Sequence, residues 1–582
     1  MVLRRMSVLG PEFDGFVQQQ MDKWKVPGLT MAIVHGASTW SKAYGMAEFP
    51  DRKMTTDALF STCSTTKAFT AAAVSLVIDD SQYTDVPLRW DTPISSILRD
   101  DFVLHNDYST LHTTIEDALS HRSGLSTHDG CISLAHPQRP LREAVRILRH
   151  LKLAYSPRTT FSYNNNMYMA TSHLLENIEG RSLGETLKTR IWDPLGMSDT
   201  YFSAQEVLQD PTLGPRFVRG YTWDVDTNSY ISEPYMSDVA VSGAGAMVSN
   251  VLEYTKWLRA MIYQTGPISS RGYAEILKPR TIVTDWSELV APPSPHHLYA
   301  LGWFVASYRG ESLYWHSGSW AGFGIMVGFL PSHEFGFVMM GNTTNARNAQ
   351  VEICMRLLDQ LSGAGPGSSS IPCSLSHAAP PKNKRVAASE TMEEAIKRLY
   401  PCLPSPTIPH SLPVQQYAGR YVHAAYGSIT LDAQNGYMCA NLLDRVTPAI
   451  ITLGHASGEF FVAHYYQPKT VGSLSAYYCA EFLIGANGVP MAMGLDIEPA
   501  LKEKIWFEHK SCIVLHFFSS SLFPTRLASH PPRTKNLIRP TRTSQIERIG
   551  CSRSKKYDRR RDRTCNLLIR SQAPCHWASR PV

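Results

Sequence analysis

The chain has no Cys-x-x-Cys pair; its eleven cysteines are scattered along 582 residues. That spacing excludes the common zinc modules and argues against a disulfide framework, so free thiols in a reducing compartment are expected. No window approaches the roughly eighteen consecutive apolar residues that a membrane span needs. The apolar stretch 512–523 is too short, and Ser519, Ser520 and Ser521 break it. The opening residues Met-Val-Leu-Arg-Arg-Met-Ser-Val-Leu-Gly-Pro are basic but lack the apolar core of a secretory signal. A soluble, cytoplasmic protein without a membrane span is therefore expected. The body of the chain also lacks a basic stripe. The formal net charge is +6, yet residues 516–582 hold fifteen of the 56 Lys and Arg against three of the 50 Asp and Glu. That segment carries +12 and the remainder −6. Nucleic acid is thereby excluded as a partner for anything but this tail.

An apolar content of 43% supports a sizeable core, and 582 residues exceed what one core holds, so about two to four units are expected. The first, 11–361, opens with an amphipathic helix predicted over 11–28. Phe13, Phe16, Val17 and Met21 share one side of it, and Pro27-Gly28 stops it. Strands are predicted at 29–34 and 38–44 around His35-Gly36. A helix is predicted over 64–80, then short helices and loops over 85–270, including a helix at 166–179 stopped by Gly180. Apolar, turn-bounded runs at 301–308, 325–330 and 335–340 predict strands returning to the first sheet, and 346–362 a closing helix. Residues 362–412 read as a linker, Gly/Ser/Pro-rich over 362–385, with a short helix near 389–400. From 413 to 515 short alternating stretches recur (417–422, 428–431, 460–466, 505–508), which predicts a small all-β unit. The tail, 516–582, is rich in Arg, Ser and Pro without apolar periodicity, so disorder is expected. It reads either as a basic interaction arm or as intron or out-of-frame sequence in a faulty gene model. Asp562-Arg-Thr-Cys-Asn-Leu-Leu-Ile-Arg570 continues no upstream pattern and favours the second reading.

The chemistry centres on Ser64-Thr-Thr-Lys67, at the start of the predicted helix. On a helix, residues three apart share a face, so the Ser64 hydroxyl and the Lys67 amine can meet. The positive end of the helix dipole stabilises a developing alkoxide and disfavours the ammonium, as does burial. A neutral lysine can then take the serine proton, which a weak hydroxyl nucleophile requires. Taken alone, the pattern is better explained by Ser64 capping the helix and Lys67 lying in solvent. Downstream residues change that balance. Phe161-Ser-Tyr-Asn-Asn165 places Tyr163 and Asn165 just before a helix. Tyr163 can share the proton network as base in one half-reaction and acid in the other. Asn165 can orient Lys67 and a substrate carbonyl. Trp315-His-Ser-Gly318 opens a strand-like run in which His316 can bond Tyr163 or the substrate. Gly318 permits close backbone approach, and the amide of Ser319 with that of Ser64 can form an oxyanion hole.

Together these elements resemble the serine β-lactamase and penicillin-binding-protein superfamily, in its class C-like esterase, D-aminopeptidase and transesterase branch. The elements are Ser64-x-x-Lys67, Tyr163-Asn-Asn165 and His316-Ser-Gly318. Further matches lie at Val26-Pro-Gly-Leu-Thr-Met-Ala-Ile-Val34, Ala118-Leu-Ser-His-Arg-Ser-Gly-Leu125, Trp192-Asp-Pro-Leu-Gly-Met-Ser-Asp-Thr200 and Val241-Ser-Gly-Ala-Gly-Ala246. The resemblance implies an α+β fold of the β-lactamase/transpeptidase type: an antiparallel sheet flanked by helices, with a helical region and Ser64 in the cleft between. Residues 413–510 resemble the lipocalin-like β domain that often follows it, through Tyr417-Ala-Gly-Arg-Tyr421, Tyr426-Gly-Ser-Ile-Thr-Leu431 and Ile505-Trp-Phe-Glu508.

The implied reaction is attack of Ser64 on an ester, thioester or amide of a small molecule. An acyl-enzyme forms and is released by water or by an acceptor alcohol or amine, and no metal or organic cofactor is required. Where lactamases of this superfamily usually carry lysine, this chain has His316, mostly neutral at pH 7. The expectation is an esterase or transesterase, possible in secondary metabolism, rather than a β-lactamase; a D-aminopeptidase-type amidohydrolase is the alternative. Trp315, Trp320, Phe323 and Tyr314 around the motif fit either an apolar acyl pocket or plain packing. The rival from another class is a silent binding or structural scaffold, which has no need of the complete Ser64, Lys67, Tyr163 and His316 set.

Overall fold

The computed structural model describes residues 10–510 apart from 226, 236–240, 285–289, 364–389, 435 and 468–474. The basic tail and most of the expected linker lie outside the described residues.

The run at 29–34 forms β1 (Gly28–His35), which turns through Gly36 and Ala37 into β2 (Ser38–Glu48) and the short β3 (Arg52–Lys53). The sheet is completed late in the chain by β4 (Thr281–Val283), β5 (His297–Tyr299), β6 (Phe304–Tyr308), β7 (Glu311–Trp320), β8 (Phe323–Leu330) and β9 (Phe335–Gly341). These make one nine-stranded antiparallel sheet, ordered β3-β2-β1-β9-β8-β7-β6-β5-β4. The late strands return to the first as expected: Met31 lies opposite Met339 and Ile33 opposite Phe337.

β1 is a continuous apolar run because both its faces are covered. Successive side chains point to opposite faces. Met31 and Ile33 join a cluster with Phe13 and Val17 of α1 (Pro11–Trp24). Ala32 and Val34 join a second cluster with Phe69 of α2 (Thr66–Ser81). Helix α2 is buried without interruption from Thr66 to Ile78, the expected fate of a helix that is apolar on every side. Beside it packs α3 (Asn165–Glu179), while α4 (Val251–Tyr263) covers β1 and β9 and α5 (Ala346–Leu361) pairs with α1. Between 94 and 216, α3 apart, short helices are joined by turns.

Two boundaries differ from expectation. Helix α1 stops at Trp24 rather than at Pro27-Gly28. Lys25 turns left-handed (φ 54°) and donates its amide to Met21, and Gly28 already belongs to β1. The run expected as a strand from 301 becomes one only at Phe304. Gly302 (φ +78°) makes a turn pressed onto α2, where an added Cβ would lie 2.8 Å from the Ala68 backbone and the Lys67 carbonyl.

Residues 413–510 form a closed antiparallel barrel of eight strands in chain order. They are β10 (Gly419–His423), β11 (Gly427–Gln434), β12 (Tyr437–Leu442), β13 (Ala449–Ser457), β14 (Phe460–Tyr466), β15 (Ser475–Ile484), β16 (Pro490–Leu495) and β17 (Ile505–Lys510). Pairing of β10 with β17 closes the ring, which removes the exposed sheet edges. The short helix α6 (Met392–Leu399) packs Ala395 on Val462 and Tyr477 of the barrel wall. The barrel and the sheet domain share one apolar cluster, and Val446 and Thr447 of the barrel donate their amides to the Ala135 and Ser133 carbonyls.

Gly302 supplies a sharp test of this packing. Gly302→Ala combines a left-handed alanine, about 1–2 kcal/mol, with a backbone clash on α2. It is expected to lower the melting temperature by several degrees. Gly196→Ala, also left-handed (φ +68°) but with nothing within 4 Å, is expected to show a much smaller shift. Equal melting curves for the two variants would contradict the close packing at Ala68.

Candidate active site

The strand pair Phe60–Ser61 with Val248–Ser249 delivers the chain into a tight turn at Ser64. Thr62 bonds Met247 through both its amide (2.8 Å) and its hydroxyl (3.1 Å). Cys63 adopts a left-handed backbone (φ 50°), a strained conformation for a residue with a side chain. The strain is held by back-bonding threonines: Thr65 Oγ1 donates to the Thr62 carbonyl (2.8 Å) and Thr66 Oγ1 to the Cys63 carbonyl (2.7 Å). The regular helix begins at Thr66, not at Ser64 as expected. Ser64 sits in a 3₁₀ turn, Cys63–Thr65, where residues three apart eclipse. This still brings Ser64 and Lys67 together. Ser64 makes no side-chain cap on either segment, and Lys67 is fully buried rather than solvated.

Lys67 Nζ has three close acceptors: Ser64 Oγ at 3.1 Å, Asn165 Oδ1 at 2.8 Å and the Ala244 carbonyl at 2.7 Å. It also lies over the Tyr163 and Tyr168 rings, 4.8 and 5.3 Å from their centroids. Burial lowers its pKa to about 7, opposed chiefly by the charge of Asp129. A neutral amine has two N–H donors and one lone pair. Asn165 and Ala244 can take the two donors, leaving the lone pair for the Ser64 hydroxyl.

Tyr163 interacts with the Ser64 side chain, but burial raises its pKa despite that interaction, so it stays a neutral phenol. Gly318 lies directly against the nucleophile turn: an added Cβ would sit 2.6 Å from the Thr62 carbonyl and 3.2 Å from the Ser64 amide nitrogen. Ser319 follows it on β7, paired with Gly324. His316, expected to bond Tyr163 or the substrate, has other partners among the described residues. It is buried with its Nε2 on the Tyr299 hydroxyl (3.0 Å) and its Nδ1 on the Ser317 carbonyl (2.7 Å), and the Tyr163 ring is 6.3 Å away. Burial first, then the Lys67 charge, depress its pKa to about 3.

Three neighbours escaped the sequence reading as site residues. His121, buried and left-handed (φ 57°), accepts the Asn164 amide at 3.0 Å and places its ring 4.3 Å from that of Tyr163. Ala244 offers only a carbonyl. Asp129 accepts from Asn165 Nδ2 at 3.0 Å. The first two lie in Ala118–Leu125 and Val241–Ala246, matched segments whose individual roles no side-chain pattern announced; Asp129 lies in a loop with no signal. Among the described residues no group of His, Cys, Asp and Glu could hold a metal ion, and no helix is long and apolar enough to cross a membrane.

A family model described as Beta-lactamase matches residues 13–353, and one described as Domain of unknown function (DUF3471) matches 403–509. The chain is 36% identical over 513 residues to "Unguisins hydrolase ungD'" of Aspergillus campestris, covering 86% of this chain and 92% of that protein. It is 34% identical to "Unguisins hydrolase ungD" of Aspergillus violaceofuscus, covering 86% and 90%. Among solved structures, the octameric penicillin-binding protein homologue from Pyrococcus abyssi aligns with a TM-score of 0.54 at 19% identity, over 85% of this chain and 99% of that one. That likeness shows the fold. The chain therefore belongs to the beta-lactamase family of serine hydrolases.

Proposed function

We propose that the chain hydrolyses an amide or ester bond of an unguisin-like secondary metabolite through an acyl-enzyme on Ser64. The observation that carries this reading is the buried Lys67 amine, 3.1 Å from Ser64 Oγ and held on its other sides by neutral acceptors. Lys67 takes the Ser64 proton as Oγ bonds the substrate carbonyl carbon. The bond to the leaving nitrogen or oxygen then breaks, and the proton passes to that group. Tyr163, a neutral phenol, serves as proton donor and relay, and Lys67 as base. Water then attacks the acyl carbon, the Oγ–carbon bond breaks, and the proton returns to Ser64. The amides of Ser64 and Ser319 are the proposed oxyanion hole, supported by the close seat of Gly318 on the turn.

Both fungal relatives carry the word hydrolase in their names, which favours water over an acceptor alcohol. Sequence alone gave preference to an esterase or transesterase and kept amide hydrolysis as the alternative; with these relatives, amide and ester substrates stand level. The uncharged, buried His316 offers no cation for a substrate carboxylate, which favours neutral substrates over β-lactams.

Incubated with a fluorophosphonate, the full chain is expected to gain one covalent adduct by intact mass and to turn over a p-nitrophenyl ester. Both should be absent in Ser64→Ala. A folded chain giving neither overturns the reading. Adding acceptor alcohols separates transfer from hydrolysis.

The pH profile follows from Lys67. Its pKa is depressed to about 7, and only the neutral form is a base. Activity is therefore expected to hold above that value and to fall about tenfold per pH unit below it. Lys67→Arg, which stays charged, should remove the limb together with roughly a thousandfold or more of kcat/KM.

A further inference from the structure

The barrel does more than adjoin the catalytic domain. It grips the loop from which Asp129 reaches the Asn165–Lys67 pair. His128, immediately before Asp129, is fully buried and left-handed (φ 47°). Both of its ring nitrogens are bound. Nε2 meets the Lys152 carbonyl at 2.9 Å, and Nδ1 meets the hydroxyl of Tyr426, a barrel residue, at 2.7 Å. A carbonyl can only accept, so Nε2 carries the proton. Burial favours the neutral imidazole even with the buried Glu498 carboxylate 4.0 Å from Nδ1, so Nδ1 accepts from Tyr426. The Tyr426 ring also covers Gly130, where an added Cβ would lie 3.0 Å from it. Beyond Asp129 the short helix Gly130–Ser133 ends with carbonyls that need donors. Barrel amides supply them nearby: Thr447 to Ser133 (3.0 Å) and Val446 to Ala135 (2.9 Å). The segment 128–135 is thus fixed from the barrel at both ends. Its one side chain directed to the catalytic pair is Asp129, 3.0 Å from Asn165 Nδ2, whose Oδ1 holds Lys67 Nζ at 2.8 Å.

We propose that the barrel is a positioning element of the active site, acting through Tyr426 and His128 on Asp129 and so on the Asn165–Lys67 pair. This rests on the acyl-enzyme reading of Ser64 and Lys67. Tyr426 and His128 touch neither substrate nor nucleophile, and are positioning residues. The groups facing Lys67 are Cys63 on the nucleophile turn, Tyr163 and Tyr168 at and on α3, His121 and His316, with Asp129 from the gripped loop. Asp129 is the one acid among them. Its placement therefore sets how strongly the ammonium form is favoured.

The test follows the pH dependence of Ser64 labelling by a fluorophosphonate in the full chain. Asp129→Asn keeps an acceptor for Asn165 but removes the charge, and is expected to move the acid limb about half a pH unit lower. Tyr426→Phe keeps the ring on Gly130 and removes only the hydroxyl. It should slow labelling about fivefold or more and move the limb in the same direction. The double variant should show the limb of Asp129→Asn alone, because the barrel acts through that carboxylate. If Tyr426→Phe does not fold, His128→Asn takes its place. Asparagine tolerates the left-handed backbone but cannot bridge Tyr426 and Lys152. The inference is overturned by a Tyr426→Phe limb within about 0.2 pH unit of wild type and a rate within about twofold, or by fully additive limb shifts in the double variant. A wild-type chain left unlabelled at Ser64 overturns the acyl-enzyme reading and this inference with it; labelling with unmoved profiles overturns this inference alone.

Discussion

The site depends on keeping one lysine amine out of water without giving it a carboxylate. Burying an ammonium costs several kcal/mol, and a protein normally recovers that by pairing the charge. Here the acceptors on Lys67 are an amide oxygen, a main-chain carbonyl and the serine hydroxyl, none of them charged. Burial therefore prevails and the amine becomes a base near neutrality. Asn165 is the residue that makes this work. It stands between Lys67 and Asp129, accepting from one and donating to the other. Direct contact with Asp129 would hold the lysine as an ammonium and leave Ser64 without a base.

The surroundings obey the same constraint. His121 and His316 flank the lysine, and burial holds both well below the ordinary imidazole value, so neither adds a competing cation. Each has a structural reason for its tautomer or orientation. His316 is braced between the Tyr299 hydroxyl and the Ser317 carbonyl, and His121 accepts the Asn164 amide. Three residues with side chains near the nucleophile, Cys63, His121 and Ser242, are left-handed. Such strain persists where surrounding bonds over-determine the backbone, as the threonine ladder at 62–66 does for Cys63. The result is a rigid, weakly polar cage closed on one side by the Gly302 turn and on another by Gly318 on β7.

How much of this was legible in the sequence followed from the range of the interactions. Ser64 and Lys67 are three residues apart, so a local rule sufficed, even though the turn is 3₁₀ and not the first turn of an α-helix. The alternating barrel strands and the doubly buried β1 were legible because burial writes itself into composition. The Ala244 carbonyl was not, because a main-chain acceptor 177 positions from Lys67 has no side-chain signature. Nor was the Tyr299 partner of His316, which depends on the register of β5 and β7 across the intervening β6. The end of α1 was misplaced because Lys25, a residue with no preference for the left-handed region, serves as its cap.

The junction with the barrel carries the same logic outward. Asp129 is exposed, and its carboxylate accepts from Asn165 Nδ2 at 3.0 Å, so its distance from Lys67 follows the placement of the loop that carries it. The polypeptide fixes that placement one residue upstream. His128 is buried, its neutral form is favoured by desolvation, and a single tautomer satisfies both its partners. A neutral imidazole with two fixed partners is a stiff hinge-pin, and because one of those partners is Tyr426, the pin is seated only when the barrel is docked. The shared apolar cluster supplies the docking force, and the directional bonds at Tyr426, Val446 and Thr447 set its register. Burial without those bonds would join the two domains but would leave the loop that carries Asp129 without a fixed register against the Asn165–Lys67 pair.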